Sequence, residues 1–155
     1  KIKAPELEYD KDFKTFAEKV EDGRKLVKTA KTHLEAAKAA TTDEEKAART
    51  AAIQAATKYA IEVPYRTLCK SFDVFEVCQK MVEIGNPNSV TDAAVGILCA
   101  RAACIGAFMN MQINCASLND KEFVKDIIAK GQAIVDKAEA IEKEFTARVL
   151  KQIAE

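Results

Sequence analysis

Between Ala93 and Ile113 only Arg101, Asn110 and Gln112 are clearly polar. A stretch that apolar, if helical, is expected to be buried almost all round. It is also about long enough to cross a bilayer, but a membrane span is not the expected reading. Arg101 stands at its centre, small residues dominate it, and it lies among amphipathic segments in a chain with 31% charged residues. Gly96, Ala100 and Cys104 fall on one stripe and Ala103 with Ala107 on another, so neighbouring backbones can approach closely. These features predict the central helix of a water-soluble bundle.

The flanking segments supply the partners. Phe13, Phe16, Val20, Gly23, Val27, Ala30, Leu34 and Ala37 recur alternately three and four apart, the seam of a long helix. Thr42 with Glu45 has the spacing of a capping box for a second, alanine-rich helix that reaches about Ile61. Pro64 then kinks or breaks it before Tyr65, Leu68, Phe72, Phe75 and Val82 continue toward Gly85, and one bent helix or two both remain open. Asn119 with Glu122 is expected to cap the last helix, where Ile127, Gly131, Ile134, Ala138, Ile141 and Phe145 repeat the three-four spacing. No segment alternates with period two for long enough to make a strand. The expected fold is all-α, an antiparallel bundle of about five long helices around a nearly fully apolar central one, with residues 1–155 forming a single domain.

The turn before the central helix concentrates polar chemistry. Gly85 suits the left-handed position after a helix end, and Pro87 cannot continue that helix. Ser89 reads as an N-cap, with Asp92 three residues on as its capping-box acid.

Gly85-Asn86-Pro87-Asn88-Ser89-Val90-Thr91-Asp92-Ala93, followed by Ala100-Arg101-Ala102-Ala103, Gly106-Ala107, Asn110 and Ile113-Asn114, resembles the cyclodeaminase (cyclohydrolase-like) domain of the formiminotransferase-cyclodeaminase family. Glu44-Glu45-Lys46, Arg49, Ala52-Ile53-Gln54, Ala60 and Val63-Pro64 upstream, and Asp120-Lys121-Glu122-Phe123 downstream, resemble it too. The match runs from about Thr41 to about Phe145. The resemblance implies a helical homodimer acting on a one-carbon unit of tetrahydrofolate. The reaction is either closure of 5-formiminotetrahydrofolate to the methenyl form with loss of ammonia, or hydrolysis of the methenyl form. It leaves open whether histidine degradation or formate utilisation is served, and implies no cofactor beyond the tetrahydrofolate substrate. The family's N-terminal helix with its proline-triple-glycine-serine loop is not found after Lys1. The expectation is that such a piece was removed, is made separately or was never present. Leu26-Val27-Lys28-Thr29-Ala30 and Lys38-Ala39-Ala40-Thr41 stand where the family tends to carry an Asp-x-x-Ala-Phe-like element and a Leu-Pro-Lys turn. A catalytically impaired folate binder and a helical scaffold are therefore kept as alternatives.

In the cyclising reaction a nitrogen must be protonated to leave and a cationic product forms, and a carboxylate serves both needs. Asp92 is the candidate, on the matched loop and at a helix N-terminus that favours its anion; the plainer role is the cap. Asn86 and Asn88 are placed to hydrogen-bond a pterin edge or a carboxylate, or are ordinary turn residues. Ser89 is a substrate contact or simply a cap. Arg101 reaches either a ligand's anionic group or an internal carboxylate, with Asp73 and Glu76 the expected partners. Asn110 and Asn114, four apart on one face, bind substrate amides or satisfy bonds between helices.

Other features narrow the class. Lys plus Arg equals Asp plus Glu, 24 of each, so no global field recruits nucleic acid. Lys25, Lys28, Lys31 and Lys38 make a solvated face or attract a polyglutamate tail on folate. Five cysteines without Cys-x-x-Cys spacing and a lone histidine, His33, argue against a metal site. His33 reads as a boundary residue, and the cysteines as mostly buried, reduced thiols of a cytoplasmic protein.

Overall fold

In the computed structural model the residues described are 18, 20–25, 27–29, 31, 32, 35, 38, 39 and 41–154. The chain divides into two compact units, Lys1–Ala51 and Ala52–Glu155. Among the described residues there is no strand. Among the described residues from 43 onward three long helices follow one another, α1 (Asp43–Ile84), α2 (Val90–Cys115) and α3 (Lys121–Ala154), with a 3-10 turn at Pro87–Ser89.

In the first unit the described positions between 18 and 38 are helical. Lys25 pairs with Asp22 and Lys38 with Glu35, and Lys25, Lys28, Lys31 and Lys38 are all exposed. Of the N-terminal seam, Val20 and Val27 are exposed; Phe13, Phe16, Ala30, Leu34, Ala37 and His33 lie outside the described residues. The start of α1 has the expected capping box. Thr42 Oγ1 accepts the Glu45 N–H at 3.2 Å, and Glu45 Oε2 accepts the N–H groups of Thr42 and Thr41 at 3.1 and 2.8 Å. Asp43, Glu44 and Glu45 fill the first turn, where the helix dipole favours negative charge.

The proline question resolves as one helix: α1 runs through Pro64 for 42 residues. Pro64 has no N–H for the carbonyl of Ala60, four residues back. The deficit is made good from another helix, because Asn114 Nδ2 donates to Ala60 O at 3.3 Å.

In the second unit the register follows from a few contacts. Gln54 Nε2 donates to Ser117 O, and Cys104 Sγ lies 3.9 Å from Leu68 O. A Cβ on Gly96 would stand 2.9 Å from Cys78 Sγ. As α1 ascends α2 descends, so these two are antiparallel. A Cβ on Gly131 would lie 2.7 Å from Met111 Cε and 2.8 Å from the Phe108 ring, and Arg101 meets Glu142, so α2 and α3 are also antiparallel. The core between them holds Ile61, Leu68 and Phe75 of α1, Ile97, Cys104 and Met111 of α2, and Ile127, Ala138 and Phe145 of α3; apart from Ile61, those of α1 and α3 are at positions the periodicities picked out. Tyr65, Phe72, Ile134 and Ile141 are partly buried against it.

The central helix departs from expectation. One side of α2 is buried, but Val95, Leu98, Met109 and Ile113 are 57%, 44%, 62% and 75% exposed. Its composition is apolar all round, and two neighbouring helices cover only part of its circumference.

Turn chemistry brings three further corrections. Gly85 has no positive φ. Its N–H still reaches Met81 O at 3.0 Å, and what demands glycine is that a Cβ would sit 2.2 Å from that same oxygen. Ser89 makes no side-chain capping bond, so no Ser89–Asp92 box forms. Pro87 starts a 3-10 turn ahead of α2, and the capping side chain moves back to Asn86, whose Oδ1 accepts the Asn88 N–H at 3.0 Å. At α3, Asp120 rather than Asn119 caps: Asp120 Oδ1 accepts the Phe123 N–H at 3.1 Å, while the Asn119 N–H donates to Gln54 Oε1.

The Phe123 N–H, helped by the Lys58 ammonium at 3.1 Å, holds the Asp120 carboxyl below the usual aspartate value of 3.8. A depressed native pKa stabilises the fold above the unfolded value, and the contribution disappears as pH falls through the native one. Stability is therefore expected to drop below about pH 4, and Asp120→Asn should flatten this acid limb, as urea denaturation followed down to about pH 3 will read.

Candidate functional site

In the second unit a groove of about 650 Å³ lies between α1 and α2. Tyr59, Val63, Pro64 and Thr67 line it from α1, and Gly106, Asn110 and Asn114 from α2. Its shape follows from small residues. A Cβ on Gly106 would meet nothing within 4 Å, and Ala60, Ala103 and Ala107 complete the lining. The groove is thus a mainly apolar slot with two side-chain amides toward one end and a tyrosine on its rim, the general composition of a small-molecule site.

Asn114 is held in place. Its Nδ2 donates both to Ala60 O and to Asn110 O, at 3.3 and 2.9 Å, which uses both amide hydrogens and leaves Oδ1 as the group it can offer a ligand. The two readings of this residue are therefore not exclusive, since the interhelical bond fixes an amide that also lines the groove. Asn110 is exposed beside it.

The remaining expected site residues lie elsewhere. Asn86 and Asn88 are exposed in the 3-10 turn and bonded to each other, and Ser89 follows them, half-buried. Asp92 is exposed in the first turn of α2. It shares the azimuth of Asn110, because eighteen residues are five whole turns, but it stands about 27 Å away along the axis. Arg101 is on the opposite flank of α2. Its Nε lies 3.6 Å from Glu142 Oε2, with side-chain exposures of 35% and 20%, and makes no hydrogen bond. The expected partners are corrected accordingly. Asp73 pairs with Lys70 and Glu76 with Lys80 on the surface of α1, whereas Arg101 faces α3. It links two helices and does not line the groove.

Tyr59 and Thr67 carry no role in the sequence reading, and Gly106 enters it only within the family motif. The available signal was Pro64: a proline inside a helix releases a carbonyl four residues back, and a polar side chain must come to it. The cysteines are all free, with Cys78, Cys104 and Cys115 buried and their thiol pKa values raised by that burial; Cys99 is exposed. Among the described residues no three of His, Cys, Asp and Glu come together as a metal-binding group.

Comparison with known proteins adds the family context. A model of the formiminotransferase-cyclodeaminase family matches residues 10–148. The match thus extends further toward the N-terminus than the resemblance by motif. A methenyltetrahydrofolate cyclohydrolase of Methylorubrum extorquens is 32% identical over 112 residues, which are 72% of this chain and 54% of that protein. A formimidoyltransferase-cyclodeaminase of Gallus gallus is 32% identical over 82 residues, 53% of this chain and 15% of that protein. The chain thus spans about half the length of the first relative and a small part of the second.

Proposed function

Since this chain belongs to the formiminotransferase-cyclodeaminase family, we propose that it acts on a one-carbon derivative of tetrahydrofolate, as a methenyltetrahydrofolate cyclohydrolase or a formimidoyltetrahydrofolate cyclodeaminase, in the groove between α1 and α2. The observation that carries this reading is the groove itself, an apolar slot with a tyrosine rim and two neighbouring amides in a chain of this family. A pterin or aryl ring fits against Tyr59 and Val63, and the Asn110 and Asn114 amides suit its polar edge.

In cyclodeamination N10 attacks the formimino carbon, and the tetrahedral aminal collapses when its amino nitrogen is protonated and leaves as ammonia. In the hydrolytic reaction water adds to the methenyl carbon, and loss of a proton accompanies ring opening to the formyl product. Each path needs a group that moves a proton and tolerates a neighbouring cation, and Asp92 is proposed for it, supplied to the groove across the homodimer because about 27 Å separates it from Asn110 within one chain. Asn86, Asn88 and Ser89 belong to the proposal as residues that set the Asp92 turn, and Arg101 as one that fixes α2 to α3. No cofactor besides the folate is invoked.

The wider proposal is a single cytoplasmic domain and a homodimer, in an antiparallel bundle of about five helices with no membrane or nucleic acid as partner. The opposed runs of α1, α2 and α3 support the bundle, free thiols suit a reducing compartment, and the exposed apolar side of α2 supports the dimer. The exposed Lys25, Lys28, Lys31 and Lys38 are proposed to attract a polyglutamate tail.

The test is the near-ultraviolet absorbance of 5,10-methenyltetrahydrofolate, followed as it forms from 5-formiminotetrahydrofolate and as it decays by hydrolysis. Turnover is expected, with Asp92→Asn lowering kcat by on the order of 10²-fold and Asn110→Ala acting mainly on KM. Folate binding without turnover would support the impaired-binder alternative instead, and neither binding nor turnover would leave the scaffold reading.

A further inference from the structure

We infer that the groove runs on along α1 into a basic trough, where Arg66 and Lys70 hold the glutamyl carboxylates of a folate whose pteridine lies at Asn110 and Asn114. This rests on the folate reading of the groove and assigns the end of the substrate that reading leaves unplaced.

The trough is a depression of about 480 Å³ on the surface of α1 between Val63 and Val74. Val63 and Thr67 line both it and the groove, so one opens into the other. On α1 the residues Val63, Thr67, Lys70 and Val74 follow four, three and four apart, which makes them one stripe of the helix. The two linings differ in charge. No lysine, arginine, aspartate or glutamate lines the groove, whereas Arg66 and Lys70 line the trough and no carboxylate does. In a chain with equal numbers of acidic and basic residues, that is a local excess of positive charge at one end of an uncharged slot.

Both cations are available. The Arg66 guanidinium lies 5.6 Å from the centre of the Tyr59 ring, and Tyr59 lines the groove. Stacking on the ring keeps the guanidinium at the mouth of the groove. Among the described residues Arg66 has no ion-pair partner, so its planar edge is free to take a carboxylate through two parallel bonds. Lys70 is 2.8 Å from Asp73, with side chains 84% and 62% exposed. A pair so open to water is worth little, and an incoming carboxylate takes the ammonium from Asp73 at small cost.

The spacing suits the substrate. The bond from Asn114 to Ala60 O sets the amide end of the groove level with Ala60. Arg66 and Lys70 are six and ten residues further along α1, about 9 and 15 Å at the helical rise. A pteridine, its methylene bridge and a benzoyl ring laid end to end span roughly 13 Å by covalent geometry. The glutamate then begins between the two cations, with its two carboxylates directed to them. These contacts are far from the reacting carbon and are the same before and during reaction, so they act on KM and not on kcat.

Substrates that differ only in the tail test this on the full chain. The KM for the folate should be about 10-fold lower than for the corresponding tetrahydropteroate, which lacks the glutamate, and the advantage should shrink as salt is raised. Arg66→Gln should raise KM for the folate by about 10-fold with kcat retained, leave the pteroate unchanged, and be partly rescued by Arg66→Lys. Asp73→Asn, which releases Lys70, should lower KM for the folate alone, a gain that a merely structural role for this surface would not give. Circular dichroism confirms that each variant keeps its helices. Equal KM for the two substrates in the wild type, or an Arg66→Gln effect on both alike, overturns the inference and leaves the folate reading in place. If neither substrate is turned over, equilibrium binding of 5-formyltetrahydrofolate against 5-formyltetrahydropteroate makes the same comparison. Binding that needs both the glutamate and Arg66 upholds the inference for a folate binder, and binding of neither overturns the folate reading and the inference together.

Discussion

Phe75→Ala is expected to lower the stability of the fold by about 3–5 kcal/mol, the usual cost of removing a buried aromatic and leaving a cavity. Phe75 is 2% exposed, stands in the core beside Leu68 and Cys78, and its ring lies 5.4 Å from that of Phe72 at a tilt of 33°. The site is poorly able to collapse. Gly96 lets α2 come so close that a Cβ there would be 2.9 Å from Cys78 Sγ, so the Cys78 side chain already fills the space between the α2 backbone and α1. For a chain of this size the loss corresponds to a fall in Tm of roughly 10 °C or more, readable by thermal circular dichroism. Phe72→Ala, at a partly buried position in the same ring pair, should cost less. Equal losses at the two positions would contradict the placement of Phe75 at the centre.

The second large effect is a coupling. Asn114→Leu keeps the volume but removes the donor that serves Ala60 O, so a part-buried carbonyl next to Pro64 loses its partner. The expected cost is about 1–3 kcal/mol. Pro64→Ala returns an N–H to that carbonyl and removes the ring clash, and should by itself raise stability. In the Pro64→Ala background the cost of Asn114→Leu should shrink, and a double-mutant cycle by urea denaturation should give a coupling above about 0.5 kcal/mol. Additive effects would show that the proline and the asparagine are neighbours by accident. The cycle also bears on function, because the same amide lines the groove.

What was legible along the chain was what local rules govern. The Thr42–Glu45 box formed as read, because it needs only residues three apart on one helix end. The Ser89–Asp92 box has the same spacing and did not form, because Pro87 began a turn of helix one step earlier and moved the cap to Asn86. Asn119 lost its capping place to Asp120 because a tertiary contact, Gln54 Oε1 on the Asn119 N–H, ties that residue elsewhere.

Of the candidate site, the chain identified Asn110 and Asn114 by their four-residue spacing and Gly106 only as part of a motif, but not Tyr59 or Thr67, which gain meaning only opposite a second helix. Arg101 was recognised as a charge in need of a partner. That the partner is Glu142, 41 positions away, depends on α3 folding back along α2.

The sequence by itself determined that the second unit is helical, where its long helices begin to within a residue or two, and many of the residues of α1 and α3 that enter the core. Periodicity and capping are properties of a single helix, and a single helix carries them wherever it is placed. Only the tertiary structure decided how much of α2 is covered. An apolar face states that it must be buried, but whether a neighbour in the same chain reaches it depends on how two other helices divide the circumference. They leave one stripe of α2 open, beside a groove whose two amides stand about five and six turns from the carboxylate on the same helix.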